Sequence, residues 1–198
     1  MSGLYSSDII DGHHHIWRLG DLPWLQADVQ RKIFGDAYQP IQRDYLIEEY
    51  LEDCISSRVV ASVFVQANWP SQKSLEEVAW VQSVADRHGF PQAIVGYVDL
   101  SDPDRERLID EQIQFVNLRG IRQQIFWHQF NTNYRFGVRS DLMKDRHWRS
   151  GMELLADRNL LFELQVFPEQ MDDAVDLVRD NSRTQFVLIH AGMLENFN

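Results

Sequence analysis

Six short apolar stretches, each ending in polar residues, recur along the chain with helix-like segments between them. Ile9-Ile10 reads as the end of a buried strand that runs into Asp11, Gly12 and three histidines, with Gly12 allowing a tight turn. Residues 59–66 form a β-branched run too apolar for a half-exposed strand, which predicts one covered on both faces. Residues 93–98, 118–124, 161–166 and 186–190 complete the series. Between them, the spacing of Tyr45, Leu46, Tyr50 and Cys54 predicts a helix over 44–57. Ser74 with Glu77 three residues on has the form of a capping box, and Gly89 marks that helix's end. Asp102-Pro103 opens a further helix to about Asn117, and two more are expected over 147–158 and 169–179. The Gly/Pro-punctuated segment containing Gly20, Pro23, Gly35 and Pro40 holds Trp17, Trp24, Phe34 and Tyr38, a composition expected of a lid or plug. A loop of about twenty residues follows Gln124, a length that is usually functional or disordered.

Strand and helix therefore alternate, which predicts a parallel α/β protein. A dinucleotide-binding open sheet should carry Gly-x-Gly-x-x-Gly after its first strand, and Asp-Gly-His-His-His stands there instead. In a (β/α)8 barrel, active-site groups gather at the C-terminal ends of several strands. His13/His15, Gln66, Asp99, Arg122/Gln124, Gln165 and His190 all occupy such ends. The expectation is a single barrel domain over residues 1–198.

The chemistry concentrates at Asp11-x-His13-x-His15. On an extended segment these three side chains share a face, so two imidazoles can converge on a metal or a substrate oxygen. A tag remnant or a surface loop with incidental histidines is the bland alternative. The run sits inside a strand-like pattern, however, and a distant partner repeats its form: His190-Ala191-Gly192 also closes an apolar stretch.

Charge changes the picture in one place. The net charge of −11 disfavours nucleic acid as a partner. Between Leu118 and Arg149, seven cations stand against two acids, a local field suited to a small anionic substrate or simply a solvated loop. Cys54 is the single cysteine, so neither an intrachain disulfide nor a cysteine-based metal site is expected. No apolar run approaches the roughly 18 residues of a membrane span, and residues 1–5 lack a signal-peptide pattern. A cytoplasmic location is the default expectation.

Asp11-Gly-His13-His-His15-Ile-Trp17 resembles the opening of the amidohydrolase-related (amidohydrolase 2) family. Val95-Gly-Tyr-Val-Asp99-Leu100, Arg119-Gly-Ile-Arg122-Gln123, Phe162-Glu-Leu-Gln165 and Leu188-Ile-His190-Ala-Gly192 are similar to that family's later motifs, in the same order. The nearest branch is the lactonase-like one, of pyrone-dicarboxylate and sugar-acid lactonases. The resemblance implies a (β/α)8 TIM barrel of the metal-dependent hydrolase type that opens a lactone ring. His13, His15 and His190 would surround the scissile carbonyl as catalytic groups. Arg122 would bind a substrate carboxylate bidentately. Trp17, Gln66, Asn68, Gln124, Trp127 and Gln165 would line the pocket.

Two departures follow from the resemblance. Metal-dependent members place a histidine at the end of the fifth strand, where this chain has Gln165. That leaves either no cofactor, or one divalent ion (Zn or Mn) on His13 and His15 with an acid from elsewhere. The family's essential aspartate closes strand eight, whereas these residues reach strand six, so the barrel reads as truncated after about six βα units. The alternatives are a metal-dependent decarboxylase or amide hydrolase on the same scaffold, or a non-catalytic barrel. Open strand edges further suggest that a second copy covers the gap as a homo-oligomer, or that more chain follows.

Overall fold

The structure, a computed structural model, describes residues 7–26 and 35–193, and the side chains of residues 35–37 fall outside that description. The readings placed on residues 1–5 and on Phe34 lie outside the described residues. The strands are β1 (Ile9–His14), β2 (Val59–Val65), β3 (Ala93–Gly96), β4 (Leu118–Ile121), β5 (Leu161–Leu164) and β6 (Phe186–Leu188). The helices are α1 (Pro23–Gln26), α2 (Ile47–Cys54), α3 (Ser74–His88), α4 (Arg105–Gln112), α5 (Arg146–Asp157) and α6 (Met171–Asp180).

All strands are parallel and the sheet order is β1-β2-β3-β4-β5-β6. Each strand lies beside its successor, without the reversal that defines a doubly wound sheet. The sheet curls into a half-barrel with helices on its outer side, a (β/α)8-type fold carried through six units. Strand alternation sorts the side chains. Phe64, Ile94, Ile121, Phe162 and Leu164 pack with Val78 and Val81 of α3, Ile109 of α4, Trp148 and Leu155 of α5 and Leu177 of α6. Burying each such side chain stabilises the fold by about 1.5–3 kcal/mol. Val65, Val95 and Glu163 are buried too but stand outside that cluster.

Several expectations are corrected. β1 does not end at Ile10 but continues through His14, and Gly12 lies inside it rather than at a turn. Ile10 is 68% exposed and Val60 49%, so these strands are not covered on both faces along their whole length. β1 pairs only with β2 among the described residues, which leaves its other edge open. Ser74 does not cap α3. It is the first helical residue, and the preceding Lys73 makes no side-chain cap. Gly89 does end that helix, in the left-handed region at φ 72° with its N–H on the Ala85 carbonyl. α4 is shorter than expected, because Asp102 turns its carboxylate onto the Asp104 N–H, a local turn that competes with helix.

Candidate functional site

The site grows from an irregularity in β1. Pairing with β2 shifts register between Asp11 and His14, so strict alternation fails there. Asp11 does not share a face with the two histidines, as the spacing suggested. It accepts from the Tyr50 hydroxyl at 3.0 Å and from the His13 backbone N–H at 3.1 Å. His14 is buried and stacks on Tyr50 with ring centroids 4.0 Å apart. His13 and His15 converge, with their Nε2 atoms 3.3 Å apart. His15 Nδ1–H donates to the Val65 carbonyl at 2.6 Å, which leaves its Nε2 as the bare nitrogen. His13 Nε2–H is then the donor of the pair.

His190 follows β6 in the left-handed region, at φ 52°, and its ring centroid lies 5.0 Å from that of His13. β1 and β6 are the two ends of the sheet order. Only the curl of the sheet brings their histidines together.

Beneath them lies Arg122, just past β4 and 3% exposed. Its guanidinium donates to the Gln66 carbonyl at 2.5 Å, and its Nε has no partner among the described residues. Burial pulls its pKa down to about 10, against the opposing pull of Glu163 and Glu77, so it stays cationic at neutral pH. Burial, and then the Arg122 charge, holds His13 down at about 4. The same two causes hold His15 well below its ordinary value and lower His190. At pH 7 the site is three neutral imidazoles above one buried cation.

The remaining expected residues divide. Asn68 and Gln124 line a cavity of about 200 Å³ at the C-terminal ends of β2 to β4. Gln66 is fully buried and structural in its contacts: Oε1 accepts from the Asn68 N–H at 2.7 Å. Gln165 is also buried, with Nε2 on the Met193 sulfur at 3.5 Å and Oε1 without a partner among the described residues. Trp127 lies under the Arg135 guanidinium, 4.9 Å from its ring centroid. Trp17 is engaged elsewhere, its indole N–H on the Arg43 carbonyl at 2.7 Å and its ring against Tyr45.

Arg122 gives one nitrogen to the Gln66 carbonyl and keeps its buried Nε without a partner among the described residues, the donor left for the expected carboxylate. The basic field also thins out. Arg139 pairs with Asp141 and Asp145, Lys144 with Asp173, and Arg149 with Asp180, all through surface carboxylates. Sequence reasoning missed Glu77 and Glu163, both buried acids that oppose the loss of charge on Arg122. Glu163 was legible in principle: it is a charged residue inside β5, two positions before Gln165, which follows the strand's end. Glu77 was hidden by its capping-box position.

The family model for amidohydrolases matches residues 10–197. The chain belongs to the amidohydrolase family. An uncharacterized family relative, y4mH of Sinorhizobium fredii, is 38% identical over 187 residues, covering 93% of this chain and 62% of its own. The L-fucono-1,5-lactonase of Burkholderia ambifaria is 24% identical over 188 residues, covering 92% of this chain and 56% of its own. A zinc-bound amidohydrolase crystal structure from Burkholderia multivorans matches with a TM-score of 0.69 at 25% identity, over 94% of this chain and 58% of that one. The chain thus spans 56% to 62% of the length of these relatives. No helix among the described residues is long and apolar enough to cross a membrane.

Whether the residues suit a metal ion is a question of their nitrogens. Two imidazole nitrogens on one tetrahedral zinc, each at about 2.0–2.1 Å, stand roughly 3.3 Å from one another. The His13 and His15 Nε2 atoms stand at that separation, and the Nδ1 latch on His15 is the usual companion of a ligating histidine. Among the described residues no group of three or more His, Cys, Asp or Glu side chains is arranged to hold an ion. The pair fits as two of a metal's ligands once the His13 proton sits on Nδ1 in place of Nε2.

Proposed function

We propose that these residues form the histidine side of a hydrolase site that opens the ring of a small lactone, carboxylated or of the sugar-acid type. The observation that carries this reading is the 3.3 Å convergence of two neutral Nε2 atoms, with a third imidazole 5.0 Å away across the sheet ends. Family membership and the similarity to a fuconolactonase support it. Attack of water on a lactone carbonyl requires a proton to leave the water and negative charge to gather on the carbonyl oxygen. His190, neutral and the most exposed of the three, takes the water proton on a ring nitrogen and returns it to the ring oxygen as the C–O bond breaks. The His13–His15 pair faces the carbonyl oxygen. Arg122 contributes its charge through a low-dielectric interior, where a cation acts strongly without direct contact. A divalent ion held by the two Nε2 atoms, zinc or manganese, would supply Lewis acidity to that oxygen.

The test is a lactone panel assayed with the full gene product. His190→Ala and His13→Ala should each lower kcat/KM by about 10²- to 10⁴-fold, the usual worth of a positioned acid–base group. Calorimetric titration with zinc should show binding that His15→Ala abolishes. Unaltered lactone hydrolysis in His13→Ala and His190→Ala would refute the assignment.

A further inference from the structure

The cavity of about 200 Å³ at the C-terminal ends of β2 to β4 is lined without any histidine. Among the described residues its lining holds no lysine or arginine either, and its single formal charge is the Asp99 carboxylate, just past β3. A cavity walled by one acid and no base draws a cation and repels an anion. The charges that reach the Tyr97 phenol in the same lining are negative as well. Burial, followed by Asp99 and Asp102, pushes that phenol up to about 12. Arg18 does lie against Trp69, its guanidinium carbon 5.4 Å from the ring centroid, but Asp21 pairs with it at 2.5 Å.

Asp99 is fixed in place while one of its oxygens stays available. Oδ1 accepts from Gln123 Nε2 and from the Ser101 N–H, both at 2.8 Å. Gln123 is locked in turn, its Oε1 accepting from the Leu100 N–H at 3.0 Å and from the Trp148 indole N–H at 2.7 Å. Oδ2 has no hydrogen-bond or ion-pair partner among the described residues. The surface acids Asp145 and Asp180 differ in this, since each is paired with an arginine. An acceptor held ready in this way loses little conformational freedom when a partner arrives.

The rest of the lining narrows the kind of cation. One carboxylate is too little for a hard divalent ion, which takes about six or more oxygen ligands. An ammonium group needs one acid, a few neutral oxygens and an apolar wall for its carbon chain. Among the described residues the Gln124 and Asn68 side-chain amides and the Ser71 hydroxyl have no hydrogen-bond partner, so their oxygens can accept from N–H groups. Trp69, Tyr97 and Phe136 give the cavity an aromatic wall, and Phe136 is set in place by stacking on Phe126 with ring centroids 4.3 Å apart. Aromatic rings attract a cation through the negative charge on their faces. A neutral alcohol would leave the Asp99 oxygen without a counter-charge.

We propose that this cavity binds a primary ammonium group carried on a short alkyl chain. Asp99 Oδ2 is its counter-ion, the Gln124 and Asn68 carbonyl oxygens accept from its remaining N–H groups, and the aromatic wall receives the chain. The proposal uses no histidine and holds whether or not the protein opens lactones. The probe is n-propylammonium chloride, with 1-propanol and sodium propionate as neutral and anionic molecules of similar size. The side-chain amide resonances of Gln124 and Asn68 are followed by NMR near neutral pH, in the wild type and in two variants.

Propylammonium should give saturable shifts at both amides in the wild type. Asp99→Asn keeps the oxygen that accepts from Gln123 and Ser101 and removes the charge, so it should weaken binding about ten- to a hundredfold. Gln124→Met, read at the Asn68 amide, should weaken it about tenfold, the scale of one lost hydrogen bond to a charged group. No shifts with propylammonium overturn the site, and so does equal affinity for 1-propanol or sodium propionate. A folded Asp99→Asn variant that binds propylammonium like the wild type overturns it as well. Should Asp99→Asn not fold, unaltered binding in Gln124→Met has the same force.

Discussion

His14 shows how far neighbouring identical residues diverge in role. Both its ring nitrogens are buried without partners among the described residues, and its ring stacks on Tyr50, so it packs while His13 and His15 do the chemistry proposed above. Glu77 is the other telling residue. Its Oε1 accepts from the Ala67 N–H at 2.6 Å, closing the end of β2 beside the site. Burial pushes its pKa up to about 7, with the Ala67 bond and Arg122 pulling it back. Below its ordinary value, 4.5, folded and unfolded chains both hold this proton. As pH rises from there through about 7 the unfolded chain releases it first, so the stability linked to Glu77 is lost across that window and then levels off. Urea melts of the wild type should therefore fall relative to those of Glu77→Gln between those limits. Parallel curves would show that the carboxylate is already ionised in the folded protein throughout.

At the scale of elements, the long segment after β4 is anchored rather than loose. Gln170, buried just before α6, accepts from the Trp127 N–H at 2.8 Å and donates to the Ile125 carbonyl at 3.1 Å. One amide thus pins the start of the segment whose continuation supplies Phe136 and Val138 to the cavity. Gln170→Ala should cost about 1–3 kcal/mol, because it leaves buried backbone groups unpaired. It should also speed hydrogen exchange at the Trp127 amide. Unchanged exchange at Trp127 would mean that the ring cluster of Phe126, stacked on Phe136 and edge-on to Phe167, holds the segment by itself.

At the scale of the molecule, the sheet's two ends matter most. Among the described residues β1 and β6 each pair on one side only, and Ile10 on β1 and Leu188 on β6 are 68% and 46% exposed. Unpaired strand edges beside exposed apolar side chains favour association. A polypeptide of these 198 residues, prepared by itself, should run above its mass of 23.3 kDa in size-exclusion chromatography with light scattering. A cooperatively melting monomer at that mass would show that the edges are shielded in solution.

The alternation of apolar strands with helices was legible in the chain, because buried parallel strands demand β-branched runs and strand ends carry polar groups. The family's motifs were legible for the same reason: they cluster at those ends. The sequence by itself therefore determined the class of fold and named His13, His15 and His190 as a set. Helix ends were less legible, since Asp102 and Glu77 each had a second partner for their oxygens that spacing cannot reveal. Asp11 shows the same limit, because a register shift in β1 turned it away from the histidines. Only the tertiary structure decided that Arg122 is buried beneath the imidazoles, since its depth depends on Gln66, Glu77 and Glu163 from other elements. The meeting of His190 with His13 was likewise decided by the curl of the sheet, a property of six strands packed together that none of them carries alone.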